Sequence, residues 1–162
     1  MKVYTANGDS GFTKDFSGQR LLKDDIRIIV NGKIDSLQSA LDMSLLLDSG
    51  AHKEILQKVQ QKLWQTAGEV ANCPGECLNA PVTADDLAHL ENYIDSLGEP
   101  PKKFVRFTND KSVWFNECRV RCRELETLLV KLLRDGSLRS EIYKYINRLS
   151  SLFFMLGYKS SE

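Results

Sequence analysis

Apolar side chains recur every three or four residues in five successive stretches of the chain, and this spacing constrains the fold more than any other sequence feature. It places those side chains on one face of an α-helix, which must then pack against another element. The five predicted helices cover about residues 34–47, 52–72, 83–98, 112–134 and 138–158. No stretch shows β-alternation of useful length. The sequence therefore predicts an all-α fold, a five-helix bundle formed as one domain over residues 1–162.

Local sequence signals mark the ends of these helices. Thr83 is the expected N-cap of the third helix, because two aspartates follow it in the first turn. Gly98 ends the same helix, and residues 99–111, which contain two prolines, are predicted to be a connecting loop. We place Trp64 and Trp114 on the apolar faces of the second and fourth helices.

Charge and hydropathy exclude several classes of protein. Lys and Arg together number 22, as do Asp and Glu, so the formal net charge is zero. This removes the usual electrostatic argument for a nucleic-acid or membrane-surface partner. No apolar run is long enough to span a bilayer, and the opening MKVYTANGD lacks the apolar stretch of a signal peptide. We therefore expect a cytoplasmic protein without nucleic-acid or membrane partners.

The four cysteines form two pairs with C-x-x-x-C spacing, Cys73 with Cys77 and Cys118 with Cys122. Free cysteine commonly behaves as a small buried apolar residue, which is the interpretation we favour for all four. A four-thiolate metal site is the alternative, since the ligand type fits but the spacing is not the C-x-x-C of zinc knuckles. No metal ligand is assigned.

The N-terminal stretch YTANGDSGFTKDFSGQR, residues 4–20, is too polar and too rich in glycine to be a core element. Chain ends are often loose, so disorder is one explanation. The other is a loop shaped to hold an anion, because glycines let backbone N–H groups approach phosphates while hydroxyl and basic side chains add donors.

A polar stripe runs along the fourth predicted helix beside its apolar face. Arg119, Arg123 and Glu126 stand at positions i, i+4 and i+7 and share one side of the helix. A solvated face with an internal Arg–Glu pair would explain them, as would a ligand site. Asn147 of the fifth helix raises the same choice, because a buried Asn between helices needs hydrogen-bond partners.

Five sequence blocks, in order and spanning almost the whole chain, resemble the PduO-type ATP:cobalamin adenosyltransferase family. The family's opening, T-K-x-G-D-x-G-x-T-x-L-x-G-G-x-R-V-x-K-D, is matched without a gap at Thr5, Gly8, Asp9, Gly11, Thr13, Gly18, Arg20, Lys23 and Asp24. NGKIDSLQSAL resembles Y-G-T-V-D-E-L-N-S-A-L, and VQQKLWQTAGEVAN resembles I-Q-x-x-L-F-x-L-G-A-E-L-A-T. CRVRCRELE resembles A-R-x-x-C-R-R-A-E, and YINRLSSLFF resembles Y-L-N-R-L-S-D-L-L-F.

The resemblance implies a fold, an assembly and a reaction. Family members are five-helix bundles that form homotrimers, with active sites between neighbouring subunits. They transfer the 5′-deoxyadenosyl group of ATP to the cobalt of reduced cobalamin and release triphosphate, and Mg²⁺ screens the phosphate charge. The glycine-rich segment, residues 1–24 here, would wrap the ATP phosphates.

The resemblance also implies roles for individual residues. Arg119 and Asp35 would form a salt bridge between subunits, and Arg123 would stabilise the leaving triphosphate; these three are the candidate catalytic residues. Phe104 would lie beneath the corrin and keep the lower axial position of cobalt empty. The candidate ATP-binding residues are Thr5, Gly8, Asp9, Gly11, Thr13, Arg20, Lys23, Arg123, Glu126 and Asn147.

The chain departs from the family pattern at several site positions. Ala6 replaces a Lys, Glu124 and Thr127 each replace an Arg, and Ser151 replaces an Asp. Lys14 and Asp15 also differ, and Lys14 is a candidate replacement for the charge lost at residue 6. An active transferase with a rearranged site is the favoured hypothesis. A non-catalytic module that binds cobalamin or nucleotide, and a helical interaction protein without a ligand, are the alternatives.

Overall fold

Five α-helices form the body of the protein, which confirms the predicted helical fold. The computed structural model describes residues 2–161. The helices are α1 (Ile26–Leu47), α2 (Lys53–Val70), α3 (Ala84–Ser96), α4 (Asp110–Arg134) and α5 (Ser140–Lys159). Helix α1 packs against α2 and α4, α4 packs against α5, and α5 packs against α3. Helices α4 and α5 therefore lie at the centre of the bundle.

The buried face of each helix is the apolar stripe expected from the sequence, with one exception. The side chains with no exposed surface include those of Leu37, Leu56, Leu63, Phe115, Leu125, Leu129, Ile146 and Phe153. Trp114 is partly buried against this core. Trp64 is 70% exposed, so its predicted place on the apolar face was wrong. It follows buried Leu63 by one position, which turns it about 100° away from that face.

Helix α1 begins eight residues before its predicted start at residue 34. Asp25 caps it, and its carboxylate accepts a hydrogen bond of 2.9 Å from the Arg27 amide. The apolar residues of the first turns follow one another too closely to show helical spacing. The cap, which satisfies an N–H group that the helix leaves unpaired, determines the start instead.

Residues 12–22 contain a short antiparallel hairpin, inside the stretch for which the sequence predicts either disorder or an anion-binding loop. Strand β1 (Phe12–Lys14) pairs with β2 (Arg20–Leu22). Three residues per strand are too few for an alternating pattern to be recognised. Gly11 and Gly18 have φ values of +78° and +84°, a conformation that glycine adopts without steric cost.

Polar side chains of α2 hold the long connection to α3. The Lys62 ammonium is 2.7 Å from the Asp86 carboxylate and also donates to the carbonyls of Ala80 and Pro81. Asp86 in turn completes a capping box with Thr83, which confirms the predicted N-cap. The Lys62–Asp86 pair is buried, and all three N–H groups of the Lys62 ammonium have acceptors. The pair therefore joins α2, the connection and α3.

The connection between α3 and α4 is an irregular loop, as predicted, and is anchored at its end. The Phe107 ring lies against Gly157 of α5, where an added Cβ would come within 3.1 Å of it. Asn109 caps α4 and donates 2.7 Å to the Ser160 carbonyl. Phe104, earlier in the loop, is 97% exposed.

The two cysteine pairs differ in their surroundings. Cys118 and Cys122 are free and fully buried, as expected, and burial raises the pKa of the Cys118 thiol to about 12. Cys73 is half-buried and Cys77 exposed, and the two are joined as a disulfide with their Cα atoms 6.2 Å apart. The interpretation of this pair as buried free thiols was wrong, because the chain turns out of the core after α2.

None of the helices among residues 2–161 is both long and apolar enough to cross a membrane.

Candidate functional site

The N-terminal segment folds into a cleft of about 700 Å³ lined entirely by residues 5–23. Gly11 forms the turn that precedes β1, and its carbonyl accepts a hydrogen bond of 2.9 Å from the Lys23 amide. The lining residues are Thr5, Asn7, Gly8, Ser10, Phe12, Thr13, Lys14, Arg20 and Lys23. Five of the predicted ATP-binding residues therefore share one cleft, whereas Asp9 lies nearby but outside its lining.

This cleft is basic. Lys14 and Arg20 are directly opposed across the hairpin, so their side chains start from the same face. The Arg20 guanidinium lies 3.8 Å from the centroid of the Phe12 ring. Lys23 approaches Gly8 so closely that a Cβ there would be 2.7 Å from its ammonium. None of the three cations has an ion-pair partner within residues 2–161, so the cleft suits a polyanion.

Asp15 fixes the hairpin to the bundle. Its carboxylate accepts hydrogen bonds from Ser17 at 2.7 Å, the Gln19 amide at 2.9 Å and Asn72 at 2.9 Å. The Ser17 and Asn72 hydrogen bonds are the main reason that the pKa of Asp15 is lowered. The Phe16 amide also donates to the Ala71 carbonyl. The segment is thus attached to the end of α2, which argues against a loose tail.

A second cleft, of about 440 Å³, lies where α4 and α5 face the end of α3. Arg119, Arg123 and Ser151 line it together with Phe154 and Met155. Arg119 donates 2.9 Å to Asn116. The Arg123 side chain is exposed and, within residues 2–161, forms neither an ion pair nor a side-chain hydrogen bond.

Glu126 does not form the internal ion pair that a solvated polar stripe would contain. Its carboxylate accepts a hydrogen bond of 2.6 Å from the Asn147 amide and a longer one, 3.4 Å, from the Tyr143 hydroxyl. Asn147 accepts 3.0 Å from Arg148, which is bound to Glu91 at 2.7 Å. The two predicted site residues Glu126 and Asn147 are therefore in direct contact.

Glu124, the acidic residue next to Arg123, is bound to Lys33 of α1 at 2.8 Å. The Lys33 hydrogen bond lowers the pKa of the Glu124 carboxyl. Both members depart from the family pattern, since Lys33 aligns with a Thr and Glu124 with an Arg. The reversed charge is thus matched by a new cation, and the departing Thr127 lies one turn further along the same face.

Asp35 and Arg119 are not paired within the chain. Asp35 is exposed on α1, and its carboxylate has no hydrogen-bond or ion-pair partner among residues 2–161. The salt bridge predicted between them would join two subunits. It cannot form within one chain, so it stays a prediction.

Phe104 lines a third cleft, of about 420 Å³, together with Arg119 and Phe154. Arg119 and Phe154 also line the cleft that holds Arg123, so the two clefts are neighbours on α4 and α5. The N-terminal cleft shares no lining residue with either. One chain thus presents most of the predicted site residues as two separate groups, and Asp35 on α1 lines none of these clefts.

Sequence reasoning missed several residues of these networks. Glu91, Lys33 and Tyr143 carry no motif signal, because each contributes through a partner on another helix. Lys14, the candidate replacement for the charge lost at residue 6, lines the basic cleft.

Comparison with known proteins places the chain in a family. The sequence pattern of the family described as "Cobalamin adenosyltransferase" matches residues 3–160. The chain belongs to the cobalamin adenosyltransferase family. A corrinoid adenosyltransferase of Citrobacter freundii is 33% identical over 96% of this chain and 93% of its own length. The corrinoid adenosyltransferase MMAB of Bos taurus is also 33% identical, over 96% of this chain and 70% of its own length.

Solved structures agree with this assignment. A variant of a PduO-type ATP:corrinoid adenosyltransferase from Lactobacillus reuteri, complexed with cobalamin and ATP, superposes with a TM-score of 0.84 at 26% identity. The match covers 99% of this chain and 91% of that one. A second variant of the same enzyme, complexed with ATP, also has a TM-score of 0.84, at 25% identity over 98% and 94% of the two chains. The family resemblance of the sequence is thereby confirmed.

Proposed function

We propose that this chain is an ATP:cob(I)alamin adenosyltransferase that acts as a single domain within a homotrimer. The reduced cobalt attacks C5′ of ATP, the C5′–O bond breaks, and triphosphate leaves with its electron pair. Cobalt is the nucleophile, so the protein's task is to position the two substrates and stabilise the leaving group. Family membership supports the reaction. Its location is supported by one observation: a single chain has two separate clefts with predicted site residues, the basic N-terminal cleft and the cleft lined by Arg119 and Arg123, here called the α4–α5 cleft.

The basic N-terminal cleft would hold the triphosphate of MgATP. Its three unpaired cations, with backbone N–H groups and the Thr5 and Thr13 hydroxyls, supply donors of the kind that bind phosphate. The cleft is open and shares no residue with the α4–α5 cleft of its own chain. We therefore propose that it faces the α4–α5 cleft of a neighbouring subunit, which closes over the nucleotide.

Helices α4 and α5 would supply the second half of the ATP site. Arg123 is exposed and unpaired, and its guanidinium can donate paired N–H groups to the charge that develops on the leaving triphosphate. Asn147 and Glu126, already joined by a hydrogen bond, would orient the nucleoside. Arg119 and Asp35 would meet across the subunit boundary.

The cleft around Phe104 would take the corrin. Phe104 is almost fully exposed at the edge of a loop that Phe107 and Asn109 anchor to α5. An apolar ring beneath the corrin would exclude a ligand from the lower face of cobalt, and four-coordinate cobalt is easier to reduce to Co(I). The cytoplasmic location expected from the N-terminal sequence stays a prediction.

An adenosylation assay tests the proposed function. The protein is incubated with ATP, Mg²⁺ and chemically reduced cobalamin, and the light-sensitive adenosyl product is measured. Product formation together with triphosphate release supports the transferase. Binding of ATP or cobalamin without turnover would instead favour a carrier or sensor, and absence of both binding and product would reject both functions.

Lys14 is expected to replace the phosphate cation that is missing at Ala6. Both residues belong to the segment that forms the basic cleft, and Lys14 lies opposite Arg20 in it. Removing one charged hydrogen bond to phosphate commonly costs about 1.5–3 kcal/mol, so Lys14→Met should weaken ATP binding about tenfold or more.

Calorimetric titration with MgATP measures this effect. Adding Ala6→Lys to Lys14→Met should recover most of the affinity, and the matched control Lys144→Met, on the exposed side of α5, should change little. Equal affinity of Lys14→Met and the wild type would show that Lys14 does not bind the phosphates.

A further inference from the structure

Arg123 stands beside an acidic residue that could neutralise it. Glu126 follows Arg123 by three positions on α4, a spacing at which oppositely charged side chains meet on a helix surface. An Arg123–Glu126 pair would occupy the guanidinium that the proposed function needs for triphosphate. In the structure this pair is absent, and Glu126 is bound to α5 instead.

The partners of Glu126 form an array that crosses three helices. Glu91 of α3 binds Arg148 at 2.7 Å, Arg148 donates to Asn147 at 3.0 Å, and Asn147 donates to Glu126 at 2.6 Å. Tyr143 adds a hydroxyl donor to the same Glu126 oxygen. Burial and the neighbouring Glu126 charge raise the pKa of Tyr143.

The direction of every hydrogen bond in the array follows from the groups themselves. The guanidinium of Arg148 can only donate, and the carboxylate of Glu126 can only accept. The amide of Asn147 must therefore turn its oxygen to Arg148 and its nitrogen to Glu126. Charges at both ends strengthen the two hydrogen bonds and fix the amide in one orientation.

We propose that Arg148, anchored by Glu91, is a positioning residue that holds Glu126 on Asn147 and thereby keeps Arg123 free for the triphosphate of the substrate. The inference rests on the proposed function and adds three residues to it, Arg148, Glu91 and Tyr143. None of the three has to touch the nucleotide.

Loss of the array should release Glu126 toward Arg123. The anion must then displace a carboxylate before it binds, so Arg148→Ala should weaken binding of inorganic triphosphate about fivefold, the effect of breaking one exposed ion pair. Tyr143→Phe, which removes only the longer hydrogen bond, should have a smaller effect in the same direction. Lys144→Ala removes a positive charge one turn earlier on α5 and serves as the matched control.

A second substitution separates this role from a merely structural one. Glu126→Gln cannot form an ion pair with Arg123, so Arg148→Ala combined with Glu126→Gln should bind inorganic triphosphate as tightly as Glu126→Gln alone. Calorimetry on the intact assembly, with Mg²⁺ present, measures all of these affinities. Arg148→Lys should recover part of the loss, because lysine can donate to Asn147 or Glu91 but not to both in the same geometry.

Three results would overturn the inference. They are unchanged affinity in Arg148→Ala, a loss that Glu126→Gln does not reverse, and absence of triphosphate binding to the wild type. The probe is inorganic triphosphate and no transfer is measured, so these results leave the proposed function to be judged by the adenosylation assay. If the protein forms no adenosyl product but its variants bind inorganic triphosphate in the expected order of affinity, the proposed function is refuted and the inference about Arg148 is retained.

Discussion

Arg123→Ala is expected to slow adenosyl transfer by about two to three orders of magnitude. Removing one fixed donor from a site where negative charge develops typically costs about 2.7–4 kcal/mol of transition-state stabilisation. Arg123 is the exposed, unpaired cation of the α4–α5 cleft. Among residues 2–161 the other cation that lines this cleft is Arg119, and its side chain is bound to Asn116, so it does not replace Arg123.

Single-turnover measurement with reduced cobalamin and saturating ATP reports this loss directly. Arg134→Ala is the matched control, because Arg134 is an exposed arginine in the last turn of the same helix and lies outside the cleft. Rates within a factor of about two for Arg123→Ala and the wild type would mean that the residue roles on α4 are wrongly assigned.

Asp86→Ala is expected to produce the largest loss of stability among the polar substitutions considered. The change leaves the buried Lys62 ammonium without its counter-ion and removes the capping box of α3. Breaking a buried ion pair from one side costs about 3–5 kcal/mol, and Thr83 still caps the helix because its hydroxyl accepts from the backbone amide of residue 86. For a chain of this size that corresponds to a fall in Tm of roughly 6–20 °C.

Thermal unfolding at one protein concentration measures the effect, since the proposed assembly would make Tm depend on concentration. Asp85→Ala is the matched control, because Asp85 is exposed in the same turn of α3. A fall in Tm for Asp86→Ala no larger than that for Asp85→Ala would contradict the role given to the pair.

Acid should remove the same contribution from the wild type. Burial alone would raise the pKa of Asp86, but hydrogen bonds from Lys62 and Thr83 outweigh it and hold that pKa below its usual value. The stabilisation is therefore complete above about pH 4, the pKa of an unfolded Asp, and is lost as the pH falls through the lowered value. The difference in unfolding free energy between wild type and Asp86→Ala should shrink accordingly below pH 4.

Much of the fold could be predicted from the sequence because helical packing leaves a periodic signal. The apolar stripes of α4 and α5 match the buried residues, and Thr83 signals its helix start through a local side-chain hydrogen bond. The start of α1 and the N-terminal hairpin could not be predicted, since one cap and three-residue strands leave no period. Trp64 shows that the pattern does not fix the edge of a buried face, because an apolar residue one position from the stripe can face solvent.

The site was predictable only where its residues lie close together in the sequence. Lys14, Arg20 and Lys23 belong to one segment, and its glycine pattern indicated an anion site. The partners of the acidic residues beside Arg123 were not predictable, because Lys33 and Asn147 reach them from other helices. The sequence of α4 alone does not distinguish an Arg123–Glu126 ion pair from an unpaired Arg123.

Mixing two inactive proteins tests the central claim, that each ATP site combines the N-terminal cleft of one subunit with α4 and α5 of another. One protein carries Arg123→Ala, and the other carries Arg20→Ala with Lys23→Ala. After the two are unfolded and refolded together, random trimers would contain intact sites at about a quarter of the positions. We predict that adenosyl transfer returns to about a quarter of the wild-type rate. A mixture as inactive as its two components, under conditions in which the refolded wild type is active, would show that both halves of the site belong to one chain.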